Sequence, residues 1–202
     1  MNLTKSHLDY LRDTAIHAGF QTASLAIEKI GWDERASRFV DIEGRPIGAL
    51  FKLYPWEWML QESFAPMLPR SHTQFIEPAW KMLLSNKQML VVLWELFPEH
   101  PNLLPAHSTP ESLGDRYARK PRLSREGANV QLRADKIVVE TPGHYGAEGF
   151  IYQALSPLPS FDGRYAVVGT WIIGDTACGM GIREDASAVT QNMSTFVPHY
   201  FC

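Results

Sequence analysis

The loop between Tyr117 and Val130 holds the densest group of residues suited to chemistry: several cations, a carboxylate and a glycine between two strand-like stretches. Lys120 ends the first stretch, where its ammonium group can project into a cleft. Ser124 can donate a hydrogen bond, and backbone N–H groups around Gly127 can approach an anion closely. This composition is typical of a phosphate-binding loop, although a solvated basic turn has the same composition.

A second cation, Lys87, lies in the first turn of a predicted helix, next to the positive end of the helix dipole. A lysine at that position is disfavoured by about 0.3–1 kcal/mol. The placement becomes favourable if an anion lies between the lysine and the free N–H groups of the helix. Lys87 and Lys120 are therefore candidates for two contacts to one polyphosphate. The alternative for Lys87 is a solvated surface lysine.

Residues 150–157 (FIYQALSP) are predicted to form an apolar strand that breaks at a proline. Backbone N–H and C=O groups left unpaired at such a strand end can hydrogen-bond to the edge of a flat heterocycle in an apolar slot. The alternative is a core strand with an ordinary exit turn.

Arg183 follows two alternate glycines, Gly179 and Gly181, in a predicted strand. Alternate glycines weaken a strand and usually mark the close approach of a ligand or another backbone. A guanidinium group at the strand end is well suited to the charge that develops on a phosphoryl group. The alternative is an ion pair between Arg183 and Glu184 or Asp185.

Trp56 and Glu57, followed by Trp58, place a carboxylate between two indoles. Such a group can bind a cationic or amino substrate. The alternative is a helix start with buried tryptophans.

The composition limits the classes of function. At 202 residues, with 45% hydrophobic and 20% charged residues, the chain is long enough for one or two folded domains. A net charge of −3 offers no electrostatic basis for binding nucleic acid or an anionic membrane. No apolar run approaches the ~20 residues of a membrane span, and the N-terminus lacks the apolar core of a signal peptide. We therefore expect a cytoplasmic protein.

The elements that must position these residues fall into two groups. Helices are predicted at residues 6–18, 78–84 and 87–97, with a possible start of another at Pro55, and early strands at 24–30, 38–51 (a hairpin) and 75–77. Strands dominate after residue 113, at 116–120, 129–133, 136–140, 150–155, 165–173 and 177–183, the last two joined by a turn at Gly174 and Asp175. This order predicts an α+β fold with antiparallel sheets.

The motifs also resemble, in their order, the glutathionylspermidine synthase family, especially its bacterial members that have a synthetase domain only. The resemblance runs along nearly the whole chain. It is carried by residues 50–57 (LFKLYPWE), 77–80 (EPAW), 85–87 (SNK), 93–98 (LWELFP), 100–105 (HPNLLP), 120–121 (KP), 124–129 (SREGAN) and 181–185 (GIRED).

The resemblance implies an ATP-grasp fold, in which the nucleotide lies between two α+β lobes. It implies a substrate or pre-ATP-grasp region at residues 1–76 and an ATP-grasp nucleotide-binding region at 77–202. The ATP-binding residues it implies are Lys87, Lys120, Glu126, Gly127, Gln153, Ala154, Leu155, Ser156, Ala188, Val189 and Thr190. By the same resemblance, Arg183 is the catalytic arginine at the reacting phosphoryl group, and Trp56 and Glu57 lie in the region that binds the substrates.

The implied activity is ATP-dependent amide formation in two steps. ATP phosphorylates the glycine carboxylate of a glutathione-like acid, and a polyamine-like amine then attacks the acyl phosphate. The chemistry suits this architecture, because phosphoryl transfer depends mainly on positioning and charge neutralisation. The implied cofactors are ATP and Mg²⁺, and the implied partners are small molecules. The resemblance does not decide whether the protein forms a homo-oligomer.

The chain departs from the family in its metal ligands. Family members hold Mg²⁺ with an acidic residue and a Glu-x-Asn element upstream of the matched region, and no Glu-x-Asn occurs in these 202 residues. No metal ligand is therefore assigned here. We expect a C-terminal portion of a synthetase, incomplete at its N-terminus, with little magnesium-dependent ADP release of its own. The alternatives are a nucleotide-binding module without turnover, a half-enzyme that a partner chain completes, and a purely structural protein.

Overall fold

The computed structural model describes residues 3–200. Contacts divide the chain into two compact units, Met1–Leu83 and Leu84–Cys202. No helix in the described residues is long and apolar enough to cross a membrane.

The first unit combines short helices with two pairs of strands. β1 and β2 are antiparallel, and β3 and β4 are parallel. Its elements are α1 (Leu3–His17), a 3₁₀ turn (Ile27–Lys29), β1 (Gly31–Asp33), β2 (Arg38–Val40), β3 (Ala49–Phe51), α2 (Trp56–Met59), a 3₁₀ helix (Ala65–Arg70), β4 (Gln74–Ile76) and a 3₁₀ turn (Ala79–Lys81). Helix α3 (Met82–Ser85) follows.

The core of the first unit is aromatic. Phe39 is completely buried, and the rings of Trp32, Phe64 and Phe75 pack against it edge-on, with centroids 5.1, 5.7 and 5.8 Å away. Edge-to-face aromatic pairs contribute about 0.5–1.5 kcal/mol beyond the area they bury. This cluster holds together a unit that has little regular secondary structure.

The strand predicted at 24–30 is wrong. Within the described residues no strand pairs with it, and Ile27–Lys29 forms a single 3₁₀ turn in which the Ile30 N–H donates to the Ile27 carbonyl. Without a neighbouring strand, an extended segment has no ladder of backbone hydrogen bonds to hold it.

The second unit contains two antiparallel sheets. Its elements are α4 (Gln88–Leu96), β5 (Ala106–His107), a 3₁₀ turn (Glu111–Leu113), β6 (Arg116–Pro121), β7 (Gln131–Ala134), β8 (Ile137–Glu140), β9 (Phe150–Ala154), β10 (Ser160–Phe161), β11 (Arg164–Ile173), β12 (Thr176–Asp185) and β13 (Thr195–Val197). The strand orders are β5-β9-β6-β7-β8 and β10-β11-β12-β13. Mixed helices and antiparallel sheets agree with the predicted α+β class.

Helix α4 packs against the five-stranded sheet through apolar side chains. Val91, Ala106 and Ile151 form a buried cluster, and Leu90 and Trp94 pack against it. The contact holds α4 against β5 and β9, and β9 carries part of the candidate site.

The hairpin of β11 and β12 extends beyond its own sheet. β10 pairs with β11 only at Arg164 and Tyr165, and β13 pairs with β12 only at 182–184. Residues 168–181, the distal ribbon, therefore form two strands with no third strand paired on either edge in the described structure. Trp171 and Ile172, which flank a bulge, are about two-thirds exposed. The predicted turn at Gly174 and Asp175 is confirmed.

Candidate functional site

A cleft of about 580 Å³ lies in the second unit. All of the residues assigned to ATP by resemblance line it: Lys87, Lys120, Glu126, Gly127, Gln153, Ala154, Leu155, Ser156, Ala188, Val189 and Thr190. They come from five separate segments of the chain, and the fold brings them to one place.

One wall of the cleft is built by strand alternation. Successive side chains of a strand point to opposite faces, so Arg116, Ala118 and Lys120 of β6 share one face. Leu132 on β7 and Val139 on β8 extend that wall, and both line the cleft. The sequence analysis did not single out these apolar residues, although the period-two pattern of the predicted strands could have identified them. They make a surface suited to an apolar, flat group.

Lys120 is a cation held inside the cleft by a neutral partner. Its Nζ donates a hydrogen bond to Oε1 of Gln153 at 2.7 Å. Burial lowers the pKa of Lys120, because it disfavours the charged ammonium group. Removing an ammonium group from water is costly unless an anion faces it. The cleft therefore favours an anionic ligand.

Lys87 contributes a second ammonium group and is tied to the loop after β6. It is the residue that precedes the first turn of α4, and its Nζ donates to the carbonyl oxygen of Ser124 at 2.9 Å and to the Ser124 Oγ at 2.8 Å. Its backbone N–H donates to the Arg122 carbonyl at 2.8 Å. The helix end and the loop are thus fastened together beside the cleft.

Gly127 lies where no other residue fits. Its φ is +67°, and a Cβ added there would lie 2.4 Å from the carbonyl oxygen of Thr190 and 2.8 Å from Cγ1 of Val189. Buried Thr141 anchors the loop at both ends. Its Oγ1 donates to the Gly127 carbonyl at 2.6 Å and accepts from the Val130 N–H at 2.9 Å. The loop therefore packs directly on residues 188–190.

The end of β9 differs from the prediction of free N–H groups. The Ala154 N–H donates to the Pro105 carbonyl at 2.8 Å, and the Leu155 N–H makes a long bond of 3.4 Å to the Arg116 carbonyl. The prediction was wrong for these two donors, because the neighbouring segments reach past the end of the strand. The long Leu155 bond is the weaker of the two and is the one a ligand could replace.

Arg183 is not among the residues that line the cleft. Its Nη2 donates to the carbonyl oxygens of Gln191, Asn192 and Ser194 at 2.6, 3.3 and 3.2 Å. Its guanidinium carbon lies 5.3 Å from the centroid of the Phe196 ring.

The ion pair that was the alternative for Arg183 is also not the observed arrangement. Glu184 pairs with Arg164 at 3.1 Å. Asp185 accepts hydrogen bonds from the Ser194 hydroxyl and from the Ser187 N–H, and these bonds lower the pKa of Asp185.

Trp56 and Glu57 lie in the first unit, at the start of α2. Trp56 is 5% exposed, and its ring packs against Phe75 with centroids 5.2 Å apart. The Nζ of Lys52 lies 4.6 Å from the Trp56 ring centroid and 3.6 Å from Oε1 of Glu77. Trp56 is therefore buried, as the alternative interpretation expected. Lys52 was missed, although a lysine between Phe51 and Leu53 is a signal for a buried cation.

Metal ligands are scarce in the described structure. Across residues 3–200, no three His, Cys, Asp or Glu side chains form a group that could hold a metal ion. Glu126 is the one carboxylate lining the cleft, and a second cavity of about 460 Å³ shares Glu126 and adds Asp185. The charged side chains that line the cleft are those of two lysines, two arginines (Arg116 and Arg125) and one glutamate, a set that fits an anion and does not fit a complete Mg²⁺ site.

These features define a class: an α+β protein with a cleft lined by two lysines and a tightly packed glycine loop. Within that class, the chain belongs to the glutathionylspermidine synthase family. Residues 4–202 match the family described as glutathionylspermidine synthase preATP-grasp. The resemblance inferred from the motifs is confirmed.

The relatives are named as ligases. A Haemophilus influenzae protein provisionally named acid–amine ligase is 48% identical over 205 residues, covering 96% of this chain and 52% of the relative. The bifunctional glutathionylspermidine synthetase/amidase of Escherichia coli is 30% identical over 220 residues, covering 95% of this chain and 35% of the relative. The trypanothione synthetase of Crithidia fasciculata is 32% identical over 183 residues, covering 78% of this chain and 28% of the relative.

The chain spans about half the length of the first of these relatives, and less of the others. The names place it in a family of carboxylate–amine ligases.

Proposed function

We propose that the chain is the nucleotide-binding portion of an ATP-dependent carboxylate–amine ligase with an ATP-grasp fold. The observation that carries the proposal is Lys120: a half-buried cation in the cleft, whose pKa burial lowers and whose hydrogen-bond partner is the neutral Gln153 amide. A perturbed group of this kind in a cleft is a candidate functional residue. A polyphosphate would supply the missing negative charge.

The cleft residues divide between the two ends of a nucleotide. Lys87 and Lys120 bind phosphate oxygens, and Gly127 lets the loop backbone approach them closely. The apolar wall of β6, β7 and β8 receives the base, with Gln153, Ala154, Leu155 and Ser156 along its edge. Ala188, Val189 and Thr190 close the cleft against the glycine loop.

The reaction that these groups would serve has two steps. A carboxylate oxygen of the acid attacks the γ-phosphorus of ATP, and the bond to the ADP oxygen breaks. The amine nitrogen then attacks the acyl carbon, loses a proton and expels inorganic phosphate. Positive groups in the cleft neutralise the phosphate charge that opposes the first step. Mg²⁺ would supply further neutralisation, but the residues present offer it no complete set of ligands.

The substrates follow from the names of the relatives, which point to glutathione and a polyamine. We assign their handling to the region 1–76, where Glu57 offers a carboxylate for an ammonium group, and nucleotide binding to 77–202. Arg183 remains the residue proposed by resemblance for the reacting phosphoryl group.

A second candidate is a nucleotide-binding module without turnover, or a half-enzyme that a partner chain completes. The single carboxylate in the cleft favours it, because γ-phosphoryl transfer requires a divalent ion held near the phosphates.

Two measurements test these candidates. Calorimetry with a non-hydrolysable ATP analogue tests nucleotide binding, and we expect saturable binding. A coupled ADP-release assay with Mg²⁺, glutathione and spermidine tests turnover, and we expect little release from this chain alone. Robust release would exclude a module without turnover and would show that the metal site is complete within these residues. No binding of any nucleotide would remove both candidates.

The pH dependence of nucleotide binding provides a further prediction. Burial lowers the pKa of Lys120 below its ordinary value of 10.5, and a bound polyphosphate stabilises the charged form. In the alkaline range, where the phosphates are fully ionised, affinity should be constant below the lowered pKa and should fall as the pH rises through it, earlier than for a solvated lysine. Titrations across the alkaline range measure this. In the Lys120→Arg variant, whose guanidinium stays charged, the fall should move to higher pH; an unchanged profile would contradict the assignment.

A further inference from the structure

The segment between β12 and β13, residues 186–194, is fastened to β12 by two charged side chains of opposite sign. Arg183 Nη2 donates to the carbonyls of Gln191, Asn192 and Ser194. Asp185 accepts from the Ser194 hydroxyl and, at 2.8 Å, from the Ser187 N–H. Residues two apart in a strand point to the same face. The guanidinium thus donates to carbonyl oxygens of the segment, and the carboxylate accepts from its N–H and O–H groups.

The hydrogen bonds continue inside the segment. Ser194 Oγ accepts from the Gln191 N–H at 2.8 Å, and the Ser194 N–H donates to the Gln191 carbonyl at 3.1 Å. Ser187 Oγ accepts from the Val189 N–H at 3.2 Å. Both ends of the stretch 188–190 are therefore tied, within one or two residues, to partners of Arg183 or Asp185.

The same stretch forms part of the cleft. Ala188, Val189 and Thr190 line it, and Thr190 packs against Gly127 so closely that an added Cβ would meet its carbonyl. A shift of the segment would move the cleft wall and the glycine loop together.

We propose that Arg183 and Asp185 are positioning residues that clamp residues 186–194, so that Arg183 supports nucleotide binding through this segment. Arginine suits this role, because its planar guanidinium can donate to several carbonyls at once, and stacking on Phe196 restrains it. The inference rests on the proposed nucleotide-binding function. Contact with the reacting phosphoryl group is a separate role, which the clamp does not require.

Three ligands distinguish the two roles. Dissociation constants for adenosine, ADP and a non-hydrolysable ATP analogue are measured by calorimetry for the wild-type chain and for Arg183→Met. The clamp predicts that all three weaken by a similar factor, about fivefold to tenfold, because the cleft wall is displaced. Direct contact predicts a loss confined to the ATP analogue, which would overturn the proposal.

Amide hydrogen exchange provides a readout that needs no ligand. Exchange in residues 186–194 should accelerate in Arg183→Met and in Asp185→Asn, and Arg183→Lys should restore part of the protection. The control is Arg45→Met, which removes an exposed guanidinium that pairs with Asp41 and Glu43 in the first unit. The control should leave exchange in the segment and nucleotide affinity unchanged.

Failure of the proposed function and failure of the clamp give different experimental results. If the wild-type chain binds none of the three ligands, the proposed function is overturned, and with it the role of the clamp in nucleotide binding. If the wild type binds but Arg183→Met leaves exchange in the segment unaltered, the clamp is overturned while the proposed function stands.

Discussion

Replacing Lys120 with alanine is expected to weaken the binding of a non-hydrolysable ATP analogue by about tenfold to 150-fold. The estimate corresponds to about 1.5–3 kcal/mol for one charge-assisted hydrogen bond. Lys120 lies one residue before the end of β6, on the face that lines the cleft, and its ammonium group is partly withdrawn from water before a ligand binds. A ligand phosphate therefore displaces less water from this lysine than from a solvated one.

The Lys87→Ala variant should lose less affinity than Lys120→Ala. The Lys87 ammonium group already donates to two oxygens of Ser124, which a phosphate must compete with. Calorimetry of both variants measures the order. Lys136, exposed and outside the cleft, offers a matched control, and Lys136→Ala should bind as the wild type does. Unchanged affinity in both cleft variants would remove the nucleotide-binding function.

A second large effect is expected at Gly127. The Gly127→Ala variant should lose about tenfold to a hundredfold in nucleotide affinity, because a methyl group at φ +67° carries backbone strain of about 1–3 kcal/mol and meets the Thr190 carbonyl at 2.4 Å. The contact is with backbone, so no side-chain rotation relieves it. The loop or the segment 188–190 must move, and both line the cleft.

Gly174 provides the control for backbone strain alone. Its φ is +60°, and nothing lies within 4 Å of an added Cβ. Gly174→Ala should therefore lower the melting temperature slightly and leave nucleotide affinity unchanged. Equal losses of affinity in both variants would mean that strain, and not the contact with Thr190, explains the Gly127 result.

The strands of the second unit and the lysine positions could be predicted from the sequence because the signals are local. Short strand-like runs predicted β6 to β9, and Lys120 was expected at the end of the first of these runs, facing a cleft. The helix beginning near Lys87 was also evident from its apolar period and its terminal proline. Such signals depend on neighbours in the chain, so no tertiary information is needed to interpret them.

The partners of Arg183 could not be predicted in the same way. Backbone carbonyls are its acceptors, and every residue has one, so no pattern of side chains marks them. The burial of Trp56 is similar, since it depends on Phe75, which comes from a distant part of the chain. At residues 24–30 the local signal was misleading. The apolar residues predicted a strand, but no strand pairs with this segment among the described residues, and it forms a 3₁₀ turn instead.

The distal ribbon has a consequence for the behaviour of the protein in concentrated solution. Strand edges that stay open in natural proteins are usually guarded by lysine, proline or a bulge that prevents edge-to-edge pairing. Between residues 168 and 181 the sole charged residue is Asp175, at the turn, and the edges carry Val168, Trp171, Ile172 and Ile173 exposed. Within the ribbon, residues 170–173 (TWII) have the β-prone, uncharged composition of a segment that seeds intermolecular β-structure. Its one bulge is the only gatekeeper along fourteen residues, so aggregation of the chain should begin at this hairpin.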